Sequence, residues 1–294
     1  MSTLEYGRPL VTILMTAYNR EKYIGEAIES VLTSTYENFE LIIVDDCSTD
    51  NTVNIARNFE QKDSRIKLFI NQKNLGDYLN RNMAASYGQG KYLKYLDSDD
   101  KLFDFSLEYC IEEMEKYPDA AMGMLYLYKD EIINDSFSWE SNTIVRSHFF
   151  NRPYLNIGPS GTIIRRDKFE EIGGFDPRFG VASDNFFNIK MASFYPVVLL
   201  PKIFIFYREH GEQEKGNNQI GYLKYGYLYF KELLDEVPLP LTNNEIKYLS
   251  KKMVKRFAVN LTRYFLLTGN IKSLKKIMME TNFKFADIFF GYFK

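Results

Sequence analysis

Lys91-Tyr-Leu-Lys-Tyr-Leu-Asp97-Ser-Asp99-Asp100 is a short run of strand type that ends in three carboxylates within four residues. Like charges this close repel each other and raise one another's pKa, so an acidic cluster here has a cost in free energy. A bound divalent cation removes that cost, and oxygen ligands of this kind suit Mg²⁺ or Mn²⁺ together with a phosphate-bearing substrate. The alternative is a solvated, Asp-rich turn that caps the next helix, and the motif alone leaves both interpretations open.

Two earlier apolar runs have the same character and also end in polar side chains. Leu10–Met15 leads into the polar loop Thr16–Arg20, and Phe39–Val44 leads into Asp45 and Asp46. Neither run alternates apolar with polar residues, which is typical of strands buried on both faces. Helical spacing predicts helices over 21–33, 51–59 and 77–87, and a further strand over 66–70.

Strands and helices therefore alternate through the first hundred residues, which predicts βαβ units and a parallel sheet. In such sheets ligands bind beyond the carboxyl ends of the strands. An aromatic ring, hydroxyls and carboxylates at these ends favour a nucleotide diphosphate bound through a cation. Neither GxGxxG after the first strand nor GxxxxGK[ST] occurs, which argues against the dinucleotide and P-loop modes of binding.

Composition limits the class of protein. The chain has 294 residues with a net charge of -2, so one large or two small domains and no nucleic-acid partner are expected. Cys47 and Cys110 lie far apart without a CxxC motif, which is typical of reduced cytosolic thiols. We see no signal peptide and no apolar window long enough to span a membrane. The expected location is cytoplasmic, with peripheral attachment at the inner face of the membrane as an option.

Four motifs together resemble those of the family 2 glycosyltransferases. They are Val11–Asn19, Leu41–Asp50, Asn74–Asn82 and Tyr95–Asp100, in the order and at the spacing of that family, and the resemblance covers about residues 8–210. It implies the GT-A fold, a mostly parallel Rossmann-like α/β sheet flanked by helices. It also implies an inverting, metal-dependent hexosyltransferase that uses a nucleoside-diphosphate sugar and Mn²⁺ or Mg²⁺.

The resemblance also implies roles for individual residues. Asp46 would accept a hydrogen bond from the base, which for uracil is its N3–H, and Tyr18 would stack on that base. Core packing of Tyr18 and helix capping by Asp46 are the structural alternatives. The donor would be bound by Thr16, Tyr18, Asn19, Asp46, Arg81, Asp97 and Ser98, and the cation by Asp97, Asp99, Asp100 and His210.

The resemblance also implies a catalytic base, a carboxylate outside the acidic cluster. Gly158–Arg166 and the run Ile172–Asp176 are similar to the segments that precede the family's catalytic loop. Asp184 matches that loop, although Ser183 stands where many members have Glu, which leaves acceptor specificity open. Inversion needs one base to take the proton of the acceptor hydroxyl. The alternative role for Asp184 is to cap a helix over 185–193 at a strand-to-helix junction.

Two further segments of the catalytic region carry predictions. Phe206–Gly211 resembles the family's YRxH element, so His210 could reach the cation or diphosphate, although a lone histidine is often a hydrogen-bonded surface residue. Residues 129–152 follow a predicted helix (104–117) and strand (120–128) and show no periodicity. A segment of this kind is either a binding loop or lid, or a surface excursion.

The region after residue 215 has a different composition. Residues 245–294 contain 11 Lys/Arg and 3 Asp/Glu, a net charge of +8 that leaves -10 for the rest of the chain. We expect a catalytic domain over 1–215, with a nucleotide-binding half over 8–100 and an acceptor half over 101–215, and a basic, aromatic helical extension over 216–294. The extension could lie on an anionic membrane, or pack on the domain or on a second copy of the chain.

The leading hypothesis is transfer of a sugar, most simply from a UDP-sugar, to a hydroxyl of a saccharide or lipid-linked acceptor in cell-surface polysaccharide synthesis. A nucleotidyltransferase is the rival enzyme class, but Thr16–Arg20 is not the Gly-rich, basic loop that it would favour. A catalytically inactive module that binds sugar nucleotides or glycans is the alternative without chemistry.

Overall fold

The computed structural model describes residues 8–128, 135–211, 218–284 and 286–287. Its main sheet has eight strands in the order β3-β2-β1-β4-β8-β6-β9-β7, and a small second sheet pairs β5 with β10. The strands are β1 Val11–Ala17, β2 Phe39–Asp45, β3 Ile66–Ile70, β4 Tyr92–Tyr95, β5 Lys101–Leu102, β6 Met122–Leu125, β7 Phe137–Trp139, β8 Thr162–Arg165, β9 Val197–Leu200 and β10 Ile205–Phe206.

Helices cover both faces of this sheet and form a bundle after it. Those of the catalytic region are α1 Ile24–Leu32, α2 Thr52–Glu60, α3 Asp77–Tyr87, α4 Ser106–Glu115, α5 Ser141–Phe150, α6 Arg166–Glu171 and α7 Ser183–Phe194. Those of the C-terminal region are α8 Gln219–Glu236, α9 Asn243–Thr268 and α10 Ile271–Glu280. None of the described helices has the length and apolar character needed to cross a bilayer.

The strands and helices of residues 8–100 agree with the sequence-based prediction. All seven side chains of β2 are buried, and six of seven in β1, because helices flank both faces of these strands. Strand β1 pairs in parallel with β2 and β4, and β2 pairs in parallel with β3. The sheet becomes mixed where β8 inserts antiparallel between β4 and β6, and again at its edge, where β7 pairs antiparallel with β9. A mostly parallel α/β sheet flanked by helices is therefore confirmed.

The prediction of an irregular loop over residues 129–152 is wrong for its described part. Residues 129–134 lie outside the described residues, but 137–139 form edge strand β7 and 141–150 form helix α5. The pattern is hard to recognise because α5 buries only Ile144, Val145 and His148. His148 reads as polar in the sequence, yet its Nδ1 accepts a hydrogen bond from the Leu155 N–H inside the core.

The apolar stripe of the C-terminal region packs inward. Leu249, Met253, Phe257 and Leu261 of α9 are buried. The rings of Tyr227 and Phe257 stack with their centroids 4.2 Å apart. The apolar stripe therefore packs within the chain, as the packing alternative expected, and contact of the extension with a membrane stays a prediction. The Lys and Arg side chains of α9 are left on the outer face.

Helix α8 joins this bundle to the catalytic region. Gly180 has φ +46, and a Cβ there would lie 2.7 Å from Cε2 of Tyr225 in α8. Leu233 belongs to the same apolar core as the sheet. The segment before α7 can therefore follow its path only with glycine at this close contact.

Candidate functional site

A cleft of ≈ 810 Å³ opens at the carboxyl ends of β1, β2 and β4. Parallel strands place these ends on one edge of the sheet, so polar residues that follow different strands meet there. The predicted residues that line the cleft are Thr16, Tyr18, Asp46, Arg81, Asp97, Ser98, Asp99 and Asp184. Three other predicted residues, Asn19, Asp100 and His210, contribute no wall to the cleft but contact residues that do.

The loop after β1 presents an exposed ring to the cleft. Tyr18 is 46% exposed, so core packing does not account for it. Asn19 instead fixes the loop: it has φ +53, its N–H donates to Ser48 Oγ at 2.8 Å, and its Oδ1 accepts from Thr49 N at 2.8 Å. Asparagine tolerates this left-handed backbone better than most residues. The loops after β1 and β2 are thereby joined to each other.

Asp46 is buried at the end of β2 and holds the segment that leads into α3. Its Oδ1 accepts from the Leu75 N–H and Asn71 Nδ2, each at 2.8 Å, and its Oδ2 accepts from the Gly76 N–H at 2.9 Å. Asp46 does not cap α2, which was the structural alternative. It holds the segment before α3 in place instead. Oδ2 retains capacity for a further donor from the cleft.

The three carboxylates after β4 come together as a group with the chemistry of a cation site. Asp97, Asp99 and Asp100 each offer an oxygen within 4.8 Å of the others. Asp100 Oδ2 is buried, and no partner for it lies among the described residues. Burial, and then the charge of Asp97, raise the pKa of Asp100 to about 7. An orphaned buried oxygen among crowded carboxylates fits Mn²⁺ or Mg²⁺, which relieve that repulsion.

Arg81 offsets part of the charge of this cluster. Its Nη2 lies 2.7 Å from Asp97 Oδ1, and its Nε lies 2.8 Å from Asp77 Oδ1 on the preceding turn of α3. Burial acts to raise the pKa of Asp97, but the charge and hydrogen bond of Arg81 outweigh it and lower that pKa. The backbone N–H of Asp97 donates to Ser160 Oγ at 2.9 Å, which fixes the start of the cluster.

Two basic side chains from distant parts of the chain contact the carboxylate of Asp99. His210 Nε2 lies 3.1 Å from Asp99 Oδ2, and Arg20 Nε lies 3.3 Å from the same oxygen. The His210 ring stacks on Tyr23, with centroids 4.5 Å apart. The Arg208 N–H donates to Asp100 Oδ1 at 3.1 Å. The segment around His210 therefore closes over the acidic cluster, so His210 is not an isolated surface histidine.

Asp184 faces the cleft from the first turn of α7. It follows a 3-10 turn over Pro177–Ala182 rather than a strand, so the predicted strand-to-helix junction is wrong. Ala182 occupies the N-cap position, and Asp184 Oδ1 accepts from the next N–H, that of Asn185, at 2.7 Å. Burial raises the pKa of Asp184 to about 6, against the lowering effect of that hydrogen bond. A carboxyl group with such a pKa suits proton transfer near neutrality.

Sequence reasoning missed four residues that shape the site: Arg20, Asp77, Tyr78 and Ser160. Arg20 stands at the end of the β1 loop, where a basic residue beside a cation site is a usable signal. Asp77 and Tyr78 begin α3 and line the cleft, but their position on that helix becomes informative only when Arg81 is placed. Ser160 contacts Asp97 across 63 positions of sequence, for which a single sequence holds no signal.

Comparison with known proteins identifies the family. Residues 12–173 match the family model described as glycosyl transferase family 2. A glycosyltransferase of Haemophilus influenzae without assigned activity is 30% identical over 219 residues, 70% of this chain and 67% of that protein. The chain therefore belongs to glycosyl transferase family 2.

Two relatives of assigned or suggested activity match over shorter stretches. One is UDP-Glc:alpha-D-GlcNAc-diphosphoundecaprenol beta-1,3-glucosyltransferase WfgD of Escherichia coli, 42% identical over 43% of this chain and 48% of its own length. The other is the putative teichuronic acid biosynthesis glycosyltransferase TuaG of Bacillus subtilis, 41% identical over 36% of this chain and 42% of its own. The chain thus spans less than half the length of these two relatives.

Two solved structures share the fold at low sequence identity. Residues 1–349 of Staphylococcus aureus TarS, in complex with UDP-GlcNAc, superpose with a TM-score of 0.70 and 18% identity over 92% of this chain and 79% of that one. The mannosyltransferase PcManGT of Pyrobaculum calidifontis, in complex with GDP-Man and Mn²⁺, superposes with a TM-score of 0.65 and 16% sequence identity. The superposition covers 98% of this chain and 87% of that one. The GT-A type of fold, with helices after the sheet, is thereby established for this chain.

Proposed function

We propose that this chain is an inverting, metal-dependent hexosyltransferase that moves a sugar from a UDP-sugar to a hydroxyl of a saccharide or lipid-linked acceptor. Cell-surface polysaccharide synthesis is the setting that fits its relatives best. The observation that carries the proposal is one cleft lined both by Asp97 and Asp99 of the acidic cluster and by Asp184. The first can hold a diphosphate through a cation, and the second can accept a proton.

The donor side is assigned to the ends of β1, β2 and β4. Tyr18 would stack on the base, and the free capacity of Asp46 Oδ2 suits the N3–H of uracil. Thr16, Asn19 and Ser98 would order the donor, with Arg81 close to the diphosphate. The choice of UDP is supported by the use of UDP-Glc by WfgD and by UDP-GlcNAc in the TarS structure.

The cation site is assigned to Asp97, Asp99 and Asp100, with His210 able to join them. A bound Mn²⁺ or Mg²⁺ would supply positive charge to the departing diphosphate. Arg81 keeps Asp97 ionised and therefore able to bind a cation. Arg20 lies against Asp99, and its guanidinium is placed to contact a phosphate oxygen once Asp99 binds the cation.

Proton transfer is assigned to Asp184. The acceptor oxygen attacks the anomeric carbon, the bond from that carbon to the diphosphate oxygen breaks, and the hydroxyl proton passes to the Asp184 carboxylate. The nucleoside diphosphate leaves with the electron pair of the broken bond. Because attack and departure occur on opposite faces of the sugar, one base is enough for inversion.

Calorimetric titration of UDP, with and without Mn²⁺, tests the donor side. We expect UDP binding that depends on Mn²⁺ and is lost in Asp99→Ala, whereas the exposed-turn control Asp119→Ala keeps it. UDP affinity that is the same with and without Mn²⁺ would overturn the assignment of the acidic cluster. A screen of nucleotide-sugars for donor hydrolysis would then identify the sugar without knowledge of the acceptor.

A further inference from the structure

The outer face of the C-terminal helices carries a one-sided charge. Helices α9 and α10 contain nine Lys/Arg and two Glu. Both glutamates have partners, since Glu245 contacts Arg146 and caps α9 through Thr242, and Glu280 lies 2.9 Å from Lys224. Exposed basic residues recur along α9 at helical spacing, at Lys247, Lys251, Lys252, Lys255, Arg256 and Arg263.

This basic stripe ends in an apolar tip at the turn between α9 and α10. Leu266 and Leu267 are 77% and 75% exposed, and Ile271 beyond the turn is 54% exposed. Gly269 lets the chain reverse here through its left-handed backbone, with φ +63. Met279, 80% exposed, extends the apolar surface along α10 beside Lys275 and Lys276. Large apolar side chains this exposed are unusual unless another phase or molecule covers them.

The tip lies at the end of the bundle that borders the cleft. The short 237–242 connection makes α8 and α9 antiparallel, and Tyr227 stacks on Phe257. The stretch from Phe257 to Phe265 therefore runs beside that from Tyr227 back to Gln219, so the tip lies just past the start of α8. Tyr222, in the first turns of α8, lines the cleft.

We infer that the basic stripe and the apolar tip, Leu266, Leu267 and Ile271, form a docking surface for an anionic lipid membrane. Basic side chains are attracted to anionic headgroups, and apolar side chains at the tip can enter the interface between headgroups and acyl chains. A second copy of this chain fits the surface poorly, because a symmetric interface would bring two basic stripes together. The apolar tip distinguishes the surface from a site for a soluble polyanion.

The consequence for the active site rests on the proposed function. With the tip in the interface, the cleft would open near the headgroups, within reach of a sugar carried on a lipid diphosphate. The docking surface itself requires only α9 and α10. Lipid binding and donor binding can therefore be tested separately.

Sedimentation of the full chain with vesicles tests the surface. We expect binding to vesicles of equal parts phosphatidylcholine and phosphatidylglycerol, weak binding to phosphatidylcholine alone, and a loss of binding as salt rises. Lys251→Gln, Lys252→Gln and Lys255→Gln combined should weaken it by about a hundredfold, from about fivefold per charge. Leu266→Glu with Leu267→Glu should also weaken it.

Matched variants decide between this surface and a general effect of composition. Ile203→Glu replaces an apolar side chain of 47% exposure elsewhere, and Lys62→Gln with Lys73→Gln removes charge elsewhere. Both controls should bind vesicles as the parent does. Vesicle binding that is absent in the parent, or equally weakened by the controls, would overturn the inference. So would a concentration-dependent dimer in sedimentation equilibrium that the tip variant abolishes.

Two readouts separate failure of this inference from failure of the proposed function. The tip and stripe variants should keep the parent's thermal unfolding and its Mn²⁺-dependent UDP binding. Normal vesicle binding without UDP binding would sink the proposed function and leave the docking surface. Normal UDP binding without vesicle binding would overturn the docking surface and leave the proposed function standing.

Discussion

Arg81 and Asp97 form an ion pair between a buried guanidinium and a half-buried carboxylate, with Arg81 Nη2 2.7 Å from Asp97 Oδ1. The same guanidinium contacts Asp77 on α3, so one cation links the helix to the acidic cluster at the end of β4. A planar guanidinium can span both carboxylates, which the point charge of a lysine cannot do equally well. The pair thus holds the cluster in place and keeps Asp97 ionised.

Replacing Arg81 by Gln should therefore destabilise the fold and weaken the cation site together. The loss of the charged hydrogen bond to the half-buried Asp97 should cost about 1.5–3 kcal/mol in the free energy of unfolding. Urea denaturation measures this loss, and titration with UDP and Mn²⁺ measures the site. Arg57→Gln is the control, because its exposed contact with Glu60 at 3.7 Å is worth less than about 1 kcal/mol. Equal losses in the two variants would contradict the prediction.

Asp184→Asn should abolish transfer and spare donor binding. The amide keeps the shape of the side chain but cannot accept the proton, and loss of a general base typically lowers a rate by about 10²–10⁴-fold. The rate at saturating donor and cation, set against UDP affinity, separates the two effects. Transfer at the parental rate would show that the base is another residue.

The rate of the parent enzyme should depend on pH through Asp184. Its pKa is raised to about 6, so the carboxylate that acts as base is the main form above pH 6 and is lost below it. At saturating donor and cation, the rate should fall about tenfold per pH unit below that value. A rate that stays flat down to pH 5 would exclude a base with this pKa.

Asp46→Ala should loosen the segment that leads into α3. The change removes the acceptor of the Leu75 N–H, and it leaves the Gly76 N–H and the Asn71 amide with only their second acceptors, Asn74 Oδ1 and Asn80 Oδ1. A hydrogen bond to a charged group contributes about 1.5–3 kcal/mol, so the loss of these bonds should loosen the half-buried segment. Hydrogen exchange should become faster at Leu75 and Gly76, and UDP binding should weaken. Asp119→Ala, on an exposed turn, should change neither, and unaltered exchange in Asp46→Ala would refute the structural role.

Gly180→Ala should displace the 3-10 turn before α7, because Gly180 lies against Tyr225 of α8. The new Cβ would lie 2.7 Å from the Tyr225 ring on backbone with φ +46, which costs about 1–3 kcal/mol. Because Asp184 lies in the first turn of the next helix, kcat should fall more than UDP affinity.

Gly226→Ala provides the matched control in α8. Its Cβ would meet nothing within 4 Å, and alanine favours a helix over glycine by about 1 kcal/mol, so Tm should rise. If both alanine variants have the same Tm and rate, the close contact at Gly180 does not restrain the loop.

Much of the structure of residues 8–100 follows from local sequence. Strand β3 and helix α3 have the predicted bounds, because unbroken apolar runs and helical spacing are properties of neighbouring residues. The sequence also places Asp46 and Asp97 at strand ends, and parallel pairing brings these ends to one edge. Helix α5 escaped prediction because its short buried face includes a polar residue, His148.

The sequence by itself determined that carboxylates crowd one edge of a parallel sheet and that a basic, amphipathic region follows. Only the tertiary structure decided which side chains contact these carboxylates and which surface the amphipathic region packs against. His210 reaches Asp99 across 111 positions, and the donors to Asp46 lie 25 to 30 positions away. It also decided that the apolar stripe of α9 packs on α8, which leaves the charges and the apolar tip outside. Hydrophobic spacing fixes which side of a helix is buried, whereas the surface that covers it depends on how the whole chain packs.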